Sequence, residues 1–404
     1  MAVEVRQAED VVLPAGLPWG EPLEAWPGVL IVEAPRGLSR NLVRFVASGE
    51  DVLAVKELLE PVARREYALL LELARRDLPV VRVGGLVTGR GEAPPGRRRA
   101  LLVTLYLRHS LPYRLVLAGE DGPRRAVPLL DALAELLVDL HLAGFFWGDC
   151  SLSNALFRQD AGRYAAYLVD AETGELHPRL SDGARRHDID ITFENVAGEL
   201  LDLQAGGLLA PGLDPVDLAT RLQRRYSELW DELSRVETCG EGEQYRVEQR
   251  VRRLNEIGFD VKALELRRSA AGPEMIVRAQ VVEPGHHRRR LRRLTGIDAE
   301  ENQARRLLND LDRHRALIAH ARERHVDEDE AAQSWLAEVY RPALSRVPAA
   351  ERAKLADPEI FHQLLEHRWY LAERAGHDLP LPRVVDAYVA DILAPMPGPP
   401  LSGA

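Results

Sequence analysis

Three oxygen-bearing side chains are the first sign of chemistry in this chain: Asp149, Asn154 and Asp170. Asp149 and Asn154 stand five residues apart in WGDCSLSN (147–154), and Asp170 closes the run RYAAYLVD (163–170). The runs flanking Gln159-Asp160-Ala161-Gly162-Arg163 read as the two arms of a hairpin, and a register centred on Gly162 sets Asn154 opposite Asp170. Asp149 then lies in the loop beside them. An amide oxygen and a carboxylate are hard donors of the kind magnesium takes. A further carboxylate outside the metal shell can orient or deprotonate a hydroxyl. Taken singly, Asp and Asn favour loops and caps for local reasons. The hairpin that gathers them is what argues for a site.

The elements around these groups must position them. Residues 29–35, 41–47, 51–58, 79–87 and 100–107 read as strands, with Ser48-Gly49-Glu50 as a hairpin turn and 89–99 as a Gly/Pro/Arg-rich loop. A helix over 60–76 joins them in a small mixed lobe. Residues 128–144 have helical periodicity and stop at Gly144, a C-cap signal. Helices are expected over 191–205 and 214–235, with Asp190 and Asp214 as N-caps. Beyond them the pattern predicts a helix at 243–256, strands at 261–268 and 274–282, and helices to about residue 393. The tail 395–404, PMPGPPLSGA, has the composition of a disordered segment. The expected domains are 28–108, 109–238 and 240–393.

Bulk properties narrow the classes. The 404 residues suffice for two or three domains, and 46% hydrophobic with 29% charged residues describes a soluble globular chain. A net charge of -10 argues against a general nucleic-acid binder. No apolar run reaches the ~20 residues of a membrane span, so cytoplasmic residence is the default expectation. Cys150 and Cys239 offer neither a disulfide framework nor metal-ligand spacing. Of 53 basic residues only Lys56, Lys262 and Lys354 are lysine, so a lysine in an apolar strand stands out.

The spacing from Asp149 to Asn154 resembles the D-x-x-x-x-N catalytic loop of the protein-kinase-like superfamily, and Asp170 matches the aspartate of its metal-binding motif. Within the strand 51–58, AVK (54–56) looks like the kinase strand motif that ends in a phosphate-anchoring lysine, here Lys56. That lysine needs a carboxylate on the next helix. Val62, Glu66, Leu69, Leu70 and Leu73 share one face of 60–76, whereas Glu72 shares the other with Arg65 and Arg76. An acid on an apolar face needs a cation, so Glu66 is the expected partner. The stretch HDIDITFENVAGELLDL (187–203) is similar to the kinase helix that anchors the catalytic loop through an aspartate. Asp190 is the first candidate there and Asp188 the second.

The resemblance implies an α+β, two-lobed protein-kinase-like fold. It has a small β-rich lobe and a larger, mostly helical lobe. A mostly helical C-terminal domain with a short β-hairpin follows. It implies ATP and Mg2+ as cofactors, with Lys56 and Asp149 catalytic. Lys56, Glu66, Asn154 and Asp170 would bind the cofactors, with Asn154, Asp170 and Glu172 facing metal. The segment 36–40 carries only Gly37 in place of a glycine-rich phosphate loop, Trp147-Gly148 replaces the usual histidine, and the metal motif reads Asp170-Ala171-Glu172. These departures favour an atypical or small-molecule-type kinase similar to the lipopolysaccharide-kinase branch. The whole chain resembles an uncharacterised bacterial family in which such a domain precedes a family-specific C-terminal one. Residues 294–311 and 365–379 carry that second likeness. The expected activity is transfer of the γ-phosphoryl group to a hydroxyl of a small-molecule or protein acceptor. The rivals are a nucleotide-binding pseudokinase that recruits a protein partner through the C-terminal domain, and an enzyme transferring AMP.

Other conspicuous residues take plainer readings. Cys150 is expected as a half-buried filler, His141 as a packing or capping residue, and HHRRRLRR (286–293) as a solvated basic helix face. Trp335, Trp369 and Tyr370 are expected in the core.

Overall fold

A computed structural model describes the chain except for residues 1–2, 9–10, 29–30, 33–40, 50, 92–96, 119–120, 235, 240–262, 269–274, 281–284, 378 and 397–404. Most of the strand expected at 29–35, the turn at 36–40 with Gly37, the middle of the loop 89–99, the helix expected at 243–256 and most of the tail fall outside the described residues. The chain divides into two compact units: residues 1–158 with 164–230, and residues 159–163 with 231–402.

The small lobe of the first unit is an antiparallel sheet of six strands, ordered β1-β5-β6-β4-β3-β2. Its strands are β1 (Glu4–Gln7), β2 (Ile31–Val32), β3 (Val43–Ser48), β4 (Asp51–Leu59), β5 (Val83–Thr88) and β6 (Arg99–Leu105). The edge strand β1 went unread in the sequence because all four of its residues are exposed and leave no core-facing pattern. Leu53 and Val55 of β4 join Val87, Leu101 and Val103 in an apolar layer covered by Trp19, Leu23 and Trp26. Strand side chains alternate between faces, so Lys56 leaves β4 on the opposite side. The helix α1 (Glu60–Arg75) follows directly and packs on β4, β5 and β6, burying Ala63, Glu66, Tyr67, Leu70 and Leu73.

The large lobe contains α2 (Tyr113–Leu117), α3 (Gly122–Leu142), α4 (Asp182–Ala205) and α5 (Pro215–Ser234). Among them run the short strands β7 (Ser110–Leu111), β8 (Phe145–Phe146), β9 (Ala155–Asp160), β10 (Arg163–Leu168) and β11 (Glu175–Leu176). After α3 the chain reverses at Gly144, whose φ is +83°. A Cβ there would sit 2.1 Å from the His177 carbonyl oxygen, so only glycine fits. The β9–β10 hairpin turns on Ala161 and Gly162, both at positive φ (54° and 79°). A two-residue turn puts the register centre between them. Asn154 therefore lies opposite Val169, whose N–H donates to its carbonyl at 3.0 Å, one residue away from the expected pairing with Asp170.

Two helix starts can be compared with expectation. Asp214 caps α5, its Oδ1 accepting from Val216 N and Asp217 N at 2.8 and 2.9 Å. Helix α4 begins nine residues earlier than expected, at Asp182 instead of 191. Ser181 caps it by accepting from Ala184 N at 3.1 Å. Asp190 is consequently a mid-helix residue and no cap.

In the second unit, β12 (Val236–Cys239), β13 (Ala263–Arg268) and β14 (Met275–Gln280) form a sheet ordered β12-β14-β13. The helices are α6 (His286–Thr295), α7 (Glu301–Arg322), α8 (Glu328–Trp335), α9 (Arg341–Arg346), α10 (Ala349–Arg352), α11 (Asp357–Ala375) and α12 (Leu381–Tyr388). Leu307, Leu311, Trp335, Phe361, Val384 and Tyr388 are central to its core. Trp335 is fully buried, but Trp369 is 66% and Tyr370 50% exposed, which corrects the expectation that all three are core. The inward stripe of α11 runs through Ile360, Leu364 and Leu371, and positions 369 and 370 fall off that phase. The basic stretch 286–293 forms α6, and its arginines pair with acids of the same unit: Arg288 with Asp298 at 3.1 Å and Arg290 with Glu328 at 2.7 Å. Asp160 of the hairpin turn also belongs to this unit. Its carboxylate accepts from Gln303 N at 2.9 Å and Asn302 N at 3.2 Å, at the start of α7, where an anion is favoured. Among the described residues no helix is long and apolar enough to cross a membrane.

Candidate active site

The site residues of the first unit fall into two linked groups. The first surrounds Lys56. Its Nζ donates to both carboxylate oxygens of Glu66, at 3.2 and 3.1 Å, and to Asp170 Oδ2 at 2.7 Å. Glu172 Oε2 stands 3.6 Å away and also accepts from Asn41 at 3.2 Å. Glu72 pairs instead with Arg76 on the exposed face of α1, at 3.0 Å. Burial works to lower the Lys56 pKa, but Glu66, then Asp170 and Glu172, outweigh it and raise it above the usual value. Burial, with the Asp170 charge added, raises the Glu66 carboxyl, and Lys56 works against that rise. Glu66 is also tied to the chain beyond Asp170, where Ala171 N approaches its Oε1 at 3.4 Å.

The second group is the loop 147–154. The Asn154 amide nitrogen donates to Asp149 O at 2.8 Å and to Asp149 Oδ2 at 3.2 Å. Its backbone carbonyl takes Val169 N, so one residue connects Asp149 to the strand end that carries Asp170. Trp147 Nε1 donates to the Asp170 carbonyl at 2.9 Å, a second tie between the loop and the segment 170–172. Cys150 is fully buried, more so than the half-buried filler expected, and burial pushes its thiol pKa well up, with the Asp188 charge adding to it. It is therefore an inert thiol.

Helix α4 holds this loop along its length. Asp188 accepts from Trp147 N at 2.7 Å and Gly148 N at 2.8 Å. Asn195 donates to Asp149 Oδ1 at 3.0 Å and to the Cys150 carbonyl at 3.2 Å. Glu199 accepts from Leu152 N at 2.7 Å and Ser153 N at 3.0 Å. Positions 188, 195 and 199 share one helical stripe. The loop anchor is thus Asp188 rather than Asp190, which is exposed. The helix phase decides this, because α4 starts early and both aspartates lie inside it. Asn195 and Glu199 were not singled out in the sequence. Their i, i+4 spacing beyond Asp188 was the available signal, and the misplaced helix start hid it.

His141, at the end of α3, completes the anchor. Its Nε2 lies 3.0 Å from Asp188 Oδ2 and its Nδ1 lies 2.7 Å from the Tyr226 hydroxyl. A carboxylate can only accept, so Nε2 carries the proton and Nδ1 takes the Tyr226 hydroxyl. Burial lowers the His141 pKa below its ordinary 6.5, outweighing the Asp188 contribution. A depressed histidine takes up its proton more readily in the unfolded chain, so its contribution is complete above pH 6.5 and is lost progressively as pH falls from there through the lower pKa of the folded state. On its own this lowers the melting temperature between pH 7.5 and 5.5, against the opposite trend of Glu66 and Asp160, whose carboxyls burial raises to about 8 and about 7. His141→Gln, which keeps one donor and one acceptor, should abolish that lowering. An unchanged pH profile of melting temperature in the variant would remove His141 as its source.

The donor set suits a hard divalent cation. Oxygen atoms of Glu66, Asp170 and Glu172 lie within 4.8 Å of one another. Glu66 is spent on Lys56 and fully buried, which leaves the part-exposed Asp170 and Glu172 as the carboxylates able to meet an ion. With its nitrogen engaged by Asp149, Asn154 has its amide oxygen left for the same purpose. All-oxygen donors of this kind match magnesium rather than a softer metal.

Two family models match parts of the chain. Residues 49–194 match the family described as Lipopolysaccharide kinase (Kdo/WaaP) family. Residues 228–393 match a Domain of unknown function, DUF4032. A solved structure, "WaaP in complex with acyl carrier protein", is similar with a TM-score of 0.35 and 15% identity, covering 56% of this chain and 90% of that one. No curated protein matches the chain. The chain thus joins a two-lobed kinase-like domain resembling the lipopolysaccharide kinases to a C-terminal domain resembling DUF4032.

Proposed function

We propose that this protein is an ATP- and magnesium-dependent phosphotransferase of atypical kinase type, moving the γ-phosphoryl group of ATP to a hydroxyl acceptor. The observation that carries the reading is Lys56 shared between buried Glu66 and part-exposed Asp170. Two of the ammonium donors are held by Glu66, and the one now on Asp170 is available to a phosphate oxygen. Asp149 stands outside that cluster with both carboxylate oxygens oriented by amides. It accepts the proton of the acceptor hydroxyl as its oxygen bonds to phosphorus and the bond to ADP breaks. Magnesium, held by Asp170, Glu172 and Asn154, would neutralise phosphate charge. Most of the rate would come from positioning and charge stabilisation.

The test is ADP release by the full-length chain with ATP and magnesium over a panel of hydroxyl acceptors, beside thermal shift with ATP. Magnesium-dependent release supports the reading. A thermal shift without turnover over the panel would instead indicate a nucleotide-binding pseudokinase, and neither signal would sink the reading altogether. Label on the α- or the γ-phosphate separates AMP transfer from phosphoryl transfer. Glu66→Gln keeps the shape of a buried side chain but frees Lys56 from one of its charges. It should lower turnover roughly 10-fold, the scale of a misplaced positioning group. An unchanged rate would show that the Lys56–Glu66 pair is structural only.

A further inference from the structure

Asp149 has a second holder besides Asn154, and it comes from a different element. Asn154 is part of the same loop and moves with it. Asn195 belongs to α4, a helix of 24 residues whose Val196, Leu200 and Leu203 are buried. Its amide nitrogen reaches Asp149 Oδ1 at 3.0 Å and the Cys150 carbonyl at 3.2 Å. The two amides therefore take different oxygens of one carboxylate, Asn195 on Oδ1 and Asn154 on Oδ2. A carboxylate gripped on one oxygen can still rotate about χ2, whereas one gripped on both has its plane set. On either side of this contact, Asp188 holds the Trp147 and Gly148 N–H groups and His141 Nε2, and Glu199 holds two backbone N–H groups and the Ser153 hydroxyl. Of the three α4 side chains, Asn195 alone touches the carboxylate itself.

We infer that Asn195 is a positioning residue for the Asp149 carboxylate, fixing its plane from the rigid helix α4 so that it meets the acceptor hydroxyl. The inference rests on the phosphotransferase reading for its consequence, and on the hydrogen bond alone for its geometry. Asn195 does not touch Lys56, Glu66 or Asp170 in any contact of the site, so ATP binding should not depend on it.

Two measurements decide it. Asn195→Ala should lower kcat about 10- to 100-fold, with KM for ATP within about 2-fold of wild type. In the background of Asp149→Ala the same change should cost nothing further, because Asn195 acts through Asp149. Loss of ATP affinity, an unchanged kcat, or full additivity with Asp149→Ala would overturn the assignment. The second measurement does not depend on activity. The chain has six asparagines, so selective side-chain amide labelling gives six resonance pairs. Asp149→Ala should shift the pairs of Asn154 and Asn195 and leave the other four in place. A stationary Asn195 pair overturns the inference whether or not the protein turns over ATP. Absence of Asp149-dependent turnover with a shifted Asn195 pair would overturn the kinase reading and keep the contact.

Discussion

Asp149→Asn is expected to lose phosphoryl transfer by about 10²- to 10⁴-fold, the range over which a positioned base contributes. The substitution is isosteric, so the loop should keep its course through the Asp188 and Glu199 bonds to backbone N–H groups. What changes is chemistry. The carboxylate accepts from two amides, Asn154 at 3.2 Å and Asn195 at 3.0 Å, and an amide at position 149 must turn its own NH2 toward one of them. It can neither take a proton nor hold both neighbours. The Lys56, Glu66, Asp170 and Glu172 cluster makes no hydrogen bond to the Asp149 side chain, so ATP affinity should stay within about 3-fold of wild type, a change worth under about 1 kcal/mol. Single-turnover ADP formation and equilibrium nucleotide binding, measured together, check both halves. Wild-type turnover in the variant would remove Asp149 from the chemistry. Parallel loss of binding and turnover would move it into the nucleotide site.

Much of this arrangement could be read before any coordinates, and the reasons are local. Lys56 lies within a strand whose alternation was visible, and Glu66 sat on the apolar face of a helix with clear periodicity, so two patterns in different elements converged on one contact. The hairpin carrying Asn154 and Asp170 was legible from its turn, but its register was off by one, because a turn with two positive-φ residues centres between Ala161 and Gly162. The larger miss was α4. Its first turns, DGARRHDID, carry few apolar residues, so periodicity started the helix only near 191. Ser181 was the overlooked cap. That error promoted Asp190 to a helix terminus and drew attention away from Asp188. Once the true start is known, a stripe of polar residues at 188, 195 and 199 on an otherwise apolar face marks the side that meets the loop. Burial of a short polar stripe is a tertiary property, and hydrophobic periodicity treats such residues as solvent-facing.

Asp188→Ala should be the most destabilising single change near the site. The carboxylate is fully buried and satisfies Trp147 N, Gly148 N and His141 Nε2. Truncation leaves those three donors without an acceptor in a place water does not reach. Each orphaned group costs about 1–3 kcal/mol, so the three together should cost several kcal/mol. Against the roughly 5–15 kcal/mol that holds an ordinary domain together, that is a substantial fraction. Asp188→Asn keeps one acceptor oxygen and should lose about half as much. Asp190→Ala, on an exposed position of the same helix, should stay within about 0.5 kcal/mol of wild type. Denaturant unfolding ranks the three, and hydrogen exchange over residues 145–150 locates the effect, since the Trp147 and Gly148 amides should lose protection first. Equal losses at 188 and 190, or retained protection in Asp188→Ala, would contradict the anchor. The expectation reaches the chemistry because Gly148 immediately precedes Asp149. Gly148 holds a φ of +74° that other residues rarely adopt, and the Asp188 bond to its N–H keeps that peptide in place. A loop released there carries the Asp149 carboxylate with it, so on the proposed phosphotransferase reading turnover in Asp188→Ala should fall even at temperatures where the protein is still folded.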